Sequence, residues 1–127
     1  MSEILDNLVK TIRERKNSSE EKSYTKKLLN NKKLSKDKVI EEINELFEAV
    51  KLLSSKDKVF DAKPEFFNSD VNEAADVIYH VLVYLEANNI KYEDVLKELE
   101  KRKKQSGIEE KNNRQWITIK IIFLQKF

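Results

Sequence analysis

Along most of the chain, apolar residues recur every three or four positions, which is the period of an amphipathic α-helix. This period predicts four long helices, over residues 3–16, 36–53, 70–88 and 92–104. A shorter helix is predicted to begin at Ser23 or Thr25, since both residue types cap helix N-termini. The intervening segments are polar and are predicted to be connections, including residues 30–37 and the Pro-containing residues 54–70.

Two of these helices have clear apolar faces on a helical wheel. The face predicted for residues 36–53 consists of Val39, Ile40, Ile43, Leu46, Phe47, Val50 and Leu53. The face predicted for residues 70–88 consists of Val71, Ala74, Ala75, Ile78, Val81, Leu82 and Leu85. A lone bundle of this length would not bury all of this apolar surface comfortably, so we expect a homodimer or a higher homo-oligomer.

The composition favours an all-α fold. The chain has 127 residues with one Gly and one Pro, too few for an all-β protein with many tight turns. Charged residues make up 38% and hydrophobic residues 39%, a balance suited to helices with one buried and one solvated face. This length allows one domain with a moderate core.

The last residues of the chain differ from the rest. Residues 116–127 are mostly β-branched and aromatic and carry little charge. Such a segment forms a short strand, packs across a subunit interface or leaves an exposed strand edge. We therefore divide the chain into a helical domain, residues 1–114, and an atypical apolar tail, residues 115–127, which is predicted to be irregular or a short strand.

Charge and residue usage exclude several classes of partner. The net charge of +2 gives no electrostatic case for DNA or RNA. Without cysteine, the chain has no disulfide and no thiolate metal site. It contains no apolar run of the ~18–20 residues that span a bilayer and no signal-peptide pattern, so a cytoplasmic location is expected.

Two pairs of acidic residues carry the candidate chemistry. Glu42 with Glu45, and Glu73 with Asp76, each have the i, i+3 spacing that places side chains on neighbouring turns of one helix face. If the two helices pack together, the four carboxylates converge. They would then repel one another unless a cation lies between them, and their hard oxygen ligands suit Mg²⁺ or Mn²⁺.

Structural roles also account for parts of this pattern. Glu42 lies at the margin of its apolar face, and Lys38, one turn earlier, is a candidate partner for it. Asp70 is a candidate N-cap with Glu73 three residues later, the spacing of a capping box. His80 lies on the stripe of Glu73, opposite the apolar face, and is either a substrate contact or a core histidine with satisfied hydrogen bonds.

Basic residues at two helix ends have a similar ambiguity. The end of the first helix carries Arg13, Arg15 and Lys16. Either these cations only stabilise the C-terminus of the helix, where positive charge is favourable, or they bind phosphate. The run over residues 101–104 is interpreted as a solvated helix end.

The motifs in order resemble a known enzyme family. They are Ser23-Tyr24-Thr25, Glu41-Glu42-Ile43-Asn44-Glu45, and Glu73-Ala74-Ala75-Asp76 followed by Tyr79-His80. Over roughly residues 5–114 the chain resembles phosphoribosyl-ATP pyrophosphohydrolase, a branch of the MazG-type nucleotide pyrophosphohydrolases. Ile40 stands where the family usually has Gly, residues 54–70 are longer than usual, and the tail has no counterpart.

The resemblance implies an all-α, MazG-like four-helix arrangement that a second subunit often completes. It also implies Mg²⁺-dependent hydrolysis of phosphoribosyl-ATP to phosphoribosyl-AMP and pyrophosphate in histidine biosynthesis. The implied metal ligands are Glu42, Glu45, Glu73 and Asp76. The implied catalytic carboxylates are Glu41, Glu42 and Glu45, of which Glu41 is the nearest one left to orient water. The implied substrate contacts are Lys38, Arg13, Arg15 and Lys16 for phosphate, and Tyr24, Thr25 and His80 for ribose or base.

Two other functions fit the same residues. One is a house-cleaning nucleoside triphosphate pyrophosphatase, with the same metal site and a different base pocket. The other is a non-catalytic helical interaction module, in which the acids are caps and surface charges. A panel of substrates separates the two enzymes, and a metal-dependent thermal shift separates both from the module.

Overall fold

The protein is described by a computed structural model, which covers residues 2–54, 69–103, 107–108 and 111–114. These residues form helices and turns without a strand, so the predicted all-α fold class is confirmed for them. The helices are α1 (Ser2–Glu14), α2 (Tyr24–Leu29), α3 (Lys32–Ser54), α4 (Ser69–Ala87) and α5 (Tyr92–Arg102), with a 3₁₀ turn at Arg15–Asn17 after α1. The predicted loop over residues 54–70 and the tail 115–127 lie largely or wholly outside the described residues.

Helix α2 begins where its cap predicts. Ser23 is the N-cap, and its Oγ accepts a hydrogen bond from the backbone N–H of Lys26 at 3.2 Å. This bond satisfies one of the backbone donors that a helix start leaves without a partner. Leu28 is then fully buried, which anchors the short helix in the core.

Helix α3 begins earlier than predicted, because a cap overrides the polar composition of its first turn. The prediction that residues 30–37 form a loop is wrong, since α3 starts at Lys32. Asn31 accepts a hydrogen bond at Oδ1 from the backbone N–H of Leu34 at 3.0 Å, as an N-cap does. Ser35 in this first turn is almost fully buried.

Helix α4 has a start and an end that sequence patterns locate to within a residue. It begins at Ser69, so Asp70 lies inside the first turn rather than at the cap, and its Oδ1 accepts from the N–H of Val71 at 2.8 Å. At the other end Asn89 adopts a positive φ of 58°. The N–H of Ile90 bonds to the carbonyl of Leu85 at 2.9 Å, which closes the helix in a Schellman motif.

Helices α1 to α4 form one compact unit that includes Tyr92. Its most extensive packing is between α3 and α4; α2 packs against both, and α1 packs against α4. Ile12 of α1, Leu28 of α2 and Val83 of α4 are the largest fully buried apolar side chains among the described residues. The pairing of α3 with α4 brings the two acidic motifs together.

The buried face of α3 is not the one that its apolar residues predict. Ser35, Glu42 and Ala49, spaced by seven residues, are its buried positions, whereas Phe47 is 63% exposed and Ile40 49% exposed. The apolar face predicted for this helix is therefore only partly covered within one chain, as expected for apolar surface that a lone bundle does not bury. Because seven residues are close to two helical turns, the buried stripe runs straight along the helix with Glu42 at its middle.

Helix α4 likewise buries a different face from the one that its apolar residues predict. Glu73 and His80, predicted to lie opposite its apolar face, are half-buried, whereas Val71 is 63% and Ile78 50% exposed. The two helices therefore pack through the faces that carry the acidic motifs and leave apolar residues outside.

The remaining described residues belong to a second unit that begins at Glu93. Helix α5, predicted over residues 92–104, ends at Arg102, whose Nε lies 3.2 Å from Glu98 Oε1 one turn earlier. Within the described parts of the chain, no helix has the length and apolar character to cross a membrane.

Candidate active site

Acidic side chains of α3 and α4 converge on one carboxylate. Oxygens of Glu41, Glu42 and Glu45 lie within 4.8 Å of one another. Oxygens of Glu42, Glu73 and Asp76 lie equally close together. Glu42 belongs to both groups, so the four residues predicted to bind metal meet around it, with Glu41 beside them.

The carboxylate of Glu42 is buried and incompletely bonded. Glu42 is 6% exposed, and its Oε2 has no hydrogen-bond partner among the described residues. Oε2 of Glu73 is also buried and has no partner within that part of the chain. The capping role considered for Glu73 therefore leaves this oxygen unexplained. Buried carboxylate oxygens without donors are costly, and a positive ligand between these acids would reduce that cost.

Lys38 supplies one positive charge to this cluster, in the position that its spacing predicts. Its Nζ lies 3.2 Å from Glu41 Oε2 and 3.4 Å from Glu42 Oε1. Partial burial works against the charged form of Lys38, but the two carboxylates outweigh it and raise the pKa of Lys38. One ammonium thus contacts two acids of the cluster and leaves its other acids without compensation from Lys38.

The electrostatics of Glu42 reflect this imbalance. Burial raises the pKa of Glu42, and the neighbouring Glu45 carboxylate raises it further. Lys38 lowers it, without cancelling the other two effects. The ionised form of Glu42 is therefore less favourable here than in water.

His80 faces the same carboxylate from α4. Its Nε2 lies 3.8 Å from Glu42 Oε1, and its buried Nδ1 has no hydrogen-bond partner in the described ranges. Burial lowers the pKa of His80; the charge of Glu42 opposes this effect, and Lys38 adds to it. The charged imidazolium of His80 is therefore less favourable here than in water, and among the described residues its Nδ1 lacks the hydrogen bond that a satisfied core histidine would have.

Thr25 contacts the protein rather than open space. Its Oγ1 shares a hydrogen bond with the hydroxyl of Tyr79, and the Tyr79 ring packs edge-on against His80, with ring centroids 5.3 Å apart. Tyr24 is 52% exposed and lies near enough to influence the charge of Lys38. Thr25 is therefore linked to His80 through Tyr79, whereas Tyr24 is half exposed to solvent.

Two of the predicted phosphate-binding residues form ion pairs away from the acid cluster. Arg13 Nε lies 3.2 Å and Lys16 Nζ 2.7 Å from Oε1 of Glu86, near the end of α4. Arg15, in the 3₁₀ turn, is exposed. The structure thus brings Lys38, Tyr24 and His80 to the acid cluster, while Arg13 and Lys16 join the end of α1 to α4.

Three residues of this region have contacts that the sequence did not predict. Glu86 pairs with two basic side chains, and Tyr79, known from the sequence only as a motif residue, joins Thr25 to His80. Ser35 has a buried Oγ without a partner among the described residues. The signal for Glu86 was present, since it is an acid within an apolar helix end. Nothing in the local sequence of Ser35 distinguishes it from a residue of the predicted loop.

The donors around Glu42 suit a hard divalent cation. The ligands are carboxylate oxygens, which Mg²⁺ and Mn²⁺ prefer, and two of them are buried without donors among the described residues. Glu42, Glu45, Glu73 and Asp76 could hold such an ion between α3 and α4.

Comparison with known proteins agrees with the motifs. A phosphoribosyl-ATP pyrophosphatase of Clostridium acetobutylicum is 42% identical over 101 residues, which cover 80% of this chain and 82% of that protein. One from Rhizobium etli is 38% identical over 111 residues, covering 87% and 94%. The chloroplastic histidine biosynthesis bifunctional protein hisIE of Arabidopsis thaliana is 40% identical over 92 residues, covering 72% of this chain and 29% of that longer protein. No solved structure matches the chain significantly.

The family comparison covers the helices that carry the acid cluster. The profile described as phosphoribosyl-ATP pyrophosphohydrolase matches residues 5–103, which include α2, α3 and α4. The chain therefore belongs to the phosphoribosyl-ATP pyrophosphohydrolase family.

Proposed function

We propose that the protein hydrolyses phosphoribosyl-ATP to phosphoribosyl-AMP and pyrophosphate, a step of histidine biosynthesis, with Mg²⁺ held between α3 and α4. Family membership supports the substrate, since the relatives are named for this activity. The observation that carries the metal site is Glu42, a buried carboxylate common to two acid groups and without a donor at Oε2 in the described chain.

Each acid has a role that fits its exposure. Glu42 and Glu73 are the inner ligands because they are buried or half-buried, and Glu45 and Asp76 are the outer, exposed ones. The bound cation supplies neutralisation of phosphate charge and polarisation of water. Glu41, exposed beside the cluster, accepts a proton from the attacking water or orients it.

The other residues near the cluster contact the substrate. Lys38 is the cation placed to meet the phosphate chain, because its ammonium already lies at the acid cluster. Tyr24 and the unsatisfied nitrogen of His80 are available to the ribose or the base. Arg13 and Lys16, bound to Glu86, hold α1 against α4 in this proposal rather than binding phosphate.

The direct test is pyrophosphate release by the purified protein. Release from phosphoribosyl-ATP is expected with Mg²⁺ and not with EDTA. The variants Glu45→Gln and Asp76→Asn change exposed side chains, so they are expected to fold normally and to lose activity by about 100-fold or more. Glu48→Gln, an exposed change on the same helix, is the matched control and keeps wild-type activity. Full activity in both site variants would refute the assignment.

The same assay separates the related functions. Hydrolysis of ordinary nucleoside triphosphates at rates equal to those with phosphoribosyl-ATP would indicate a house-cleaning pyrophosphatase. Absence of any metal-dependent hydrolysis and of a metal-dependent thermal shift would indicate a helical interaction module.

We also propose that the protein is a homodimer in the cytoplasm. Ile40 and Phe47 of α3, with Val71 and Ile78 of α4, are large apolar residues that a single chain leaves about half or more exposed. Apolar residues on two packed helices favour a second copy over solvent. Phe47→Glu is expected to give a monomer in analytical ultracentrifugation. Ile4→Glu, a change at a residue of α1 that is 75% exposed, should remain dimeric.

A further inference from the structure

The ammonium of Lys38 forms ion pairs with the α3 carboxylates of the acid cluster. It contacts one oxygen each of Glu41 and Glu42, at 3.2 and 3.4 Å. These two carboxylates and Glu45 form one of the two groups whose oxygens lie within 4.8 Å of one another. The ammonium therefore contacts Glu42, which would hold a divalent cation there, and Glu41, which lies beside the proposed metal ligands.

We propose that Lys38 is a displaceable counter-ion, whose ammonium neutralises Glu41 and Glu42 until an entering divalent cation displaces it toward the phosphate chain of the substrate. This inference rests on the metal site of the proposed function. Lys38 contacts Oε1 of Glu42, and Oε2 has no donor among the described residues. An ammonium and a divalent cation on one carboxylate lie within a few ångströms and repel each other strongly, so a cation at Glu42 weakens the contact of Lys38.

The ammonium neutralises the cluster only in part, which is why displacement is favourable. One positive charge faces five acids, and the buried Oε2 atoms of Glu42 and Glu73 have no donor in the described parts of the chain. A divalent cation brings twice the charge and accepts several oxygens at once. Before the metal binds, Lys38 therefore reduces the repulsion among the acids, but it does not neutralise all of them.

The side chain of Lys38 suits this exchange. Its contacts are to residues three and four positions later on its own helix, so they break by side-chain rotation alone. It is 18% exposed, which leaves a route toward solvent and substrate. A lysine is a point charge on a flexible stem, whereas an arginine would hold the carboxylates in a more rigid, bidentate pair.

Metal affinity measured without substrate tests the exchange. Binding of Mn²⁺ is followed by electron paramagnetic resonance, and binding of Mg²⁺ by calorimetry, for the wild type and Lys38→Met. The methionine keeps the unbranched stem of the side chain and removes its charge, so we expect about tenfold tighter metal binding. Lys38→Arg keeps the charge and should bind metal no more tightly than the wild type. Lys36→Met, an exposed change two residues away, is the matched control.

A second measurement needs no variant. Brief acetylation of the wild type, read by mass spectrometry, reports how accessible each lysine amine is. Addition of Mg²⁺ is expected to raise the modification of Lys38 severalfold, because its ammonium is released, and to leave Lys36 unchanged. Equal modification of Lys38 with and without metal would overturn the exchange.

The outcomes separate this inference from the proposed function. If the wild type binds Mn²⁺ and Lys38→Met binds it with equal or lower affinity, the exchange is wrong and the metal site stands. If neither protein binds Mn²⁺, the metal site fails and the exchange fails with it. Tighter binding in Lys38→Met, with a higher KM for phosphoribosyl-ATP at saturating metal, supports both steps of the proposal.

Discussion

Glu42 and Glu86 are two carboxylates of similar burial in opposite electrostatic surroundings. Their side chains are 8% and 11% exposed, respectively. Glu86 receives the guanidinium of Arg13 and the ammonium of Lys16, at 3.2 and 2.7 Å. Glu42 lies among four other acids and shares Lys38 with one of them.

The difference separates a carboxylate whose charge is compensated within the fold from one whose charge is left for the ligand of the proposed site. Around Glu86, two cations face one acid, so the region is compensated without any ligand. Around Glu42, burial and Glu45 raise the pKa of Glu42. Functional sites often keep such unfavourable groups, since their charge is required only when the ligand is bound.

The largest expected effect comes from neutralising Glu42. Glu42→Gln removes the carboxylate common to both acid groups, so we expect hydrolysis of phosphoribosyl-ATP to fall by about a thousandfold or more. The melting temperature in EDTA should not fall, because the ionised side chain is unfavourable there. Activity assays and thermal unfolding of the same preparation measure the loss of hydrolysis and the melting temperature, respectively. If the Glu42→Gln protein were destabilised but active, Glu42 would be a structural carboxylate and the contrast with Glu86 would be wrong.

Glu86→Gln is expected to lower stability and to leave activity nearly unchanged, the reverse of Glu42→Gln. Breaking a fully buried ion pair costs about 3–5 kcal/mol. Arg13 and Lys16 are 37% and 43% exposed, so we expect solvent screening to reduce the loss to about 1–2 kcal/mol. Denaturant unfolding measures it, and kcat/KM of the folded fraction should stay near the wild-type value.

Arg13→Gln and Lys16→Gln extend this test to the cations. If they only bind Glu86, each lowers stability, and neither adds to the loss already caused by Glu86→Gln. If they bind the substrate phosphate, as their sequence positions first suggested, KM rises in both variants and also in combination with Glu86→Gln. The double variants therefore distinguish a structural ion pair from a substrate contact.

The sequence was sufficient for the acid motifs, because their spacing fixes which side chains share a helix face. It also gave Ser23 and Thr25 as candidate caps, of which Ser23 is the N-cap. It did not predict the start of α3, where Asn31 caps a first turn without an apolar period. The partners of Arg13 and Thr25 could not be predicted from local sequence, since each lies more than 50 positions away along the chain, on α4.

The orientation of α3 and α4 was the larger error, and its cause is physical. Apolar residues were taken to mark the buried face, but Phe47 and Ile78 are half or more exposed while Glu42 is buried. The apolar period of a sequence cannot separate residues that pack within one chain from residues that a second copy would cover, even where the amount of apolar surface predicts a homo-oligomer. The cytoplasmic location, the tail and the metal stay predictions.

The pH dependence of stability gives a smaller effect. The pKa of Glu42 is raised above its ordinary value of 4.5. Above the raised pKa, ionised Glu42 destabilises the folded protein. As the pH falls through it, the folded protein takes up a proton before the unfolded chain does, and the destabilisation is relieved; below 4.5 both states are protonated.

The comparison between Glu42→Gln and the wild type in EDTA isolates this titration. The variant should melt about 2–5 °C higher above the folded pKa, and the advantage should shrink as the pH falls toward 4.5. Glu86→Gln, measured in parallel, should be less stable than the wild type at pH 7. An advantage of Glu42→Gln that grows as the pH falls would contradict the assignment.

The smallest effect concerns the hydrogen bond between Thr25 and Tyr79. Tyr79→Phe removes the hydroxyl and leaves a buried threonine oxygen without its partner, so we expect a loss of about 1 kcal/mol in denaturant unfolding. Thr25→Val should cause a similar loss. The double variant should be more stable than the sum of the two losses predicts, because it removes both polar groups.

The activities of the same three proteins decide what Thr25 does. If Thr25 acts only through Tyr79, which packs against His80, the double variant has the kcat/KM of Tyr79→Phe alone. If Thr25 contacts ribose or base directly, as the sequence motif suggested, Thr25→Val lowers kcat/KM further in the Tyr79→Phe background. The threonine is 9% exposed, and its hydroxyl already has a protein partner, so we expect the first result. The bond to Tyr79 uses only part of the hydrogen-bonding capacity of the Thr25 hydroxyl, so it is the burial of this residue that limits direct contact with a ligand.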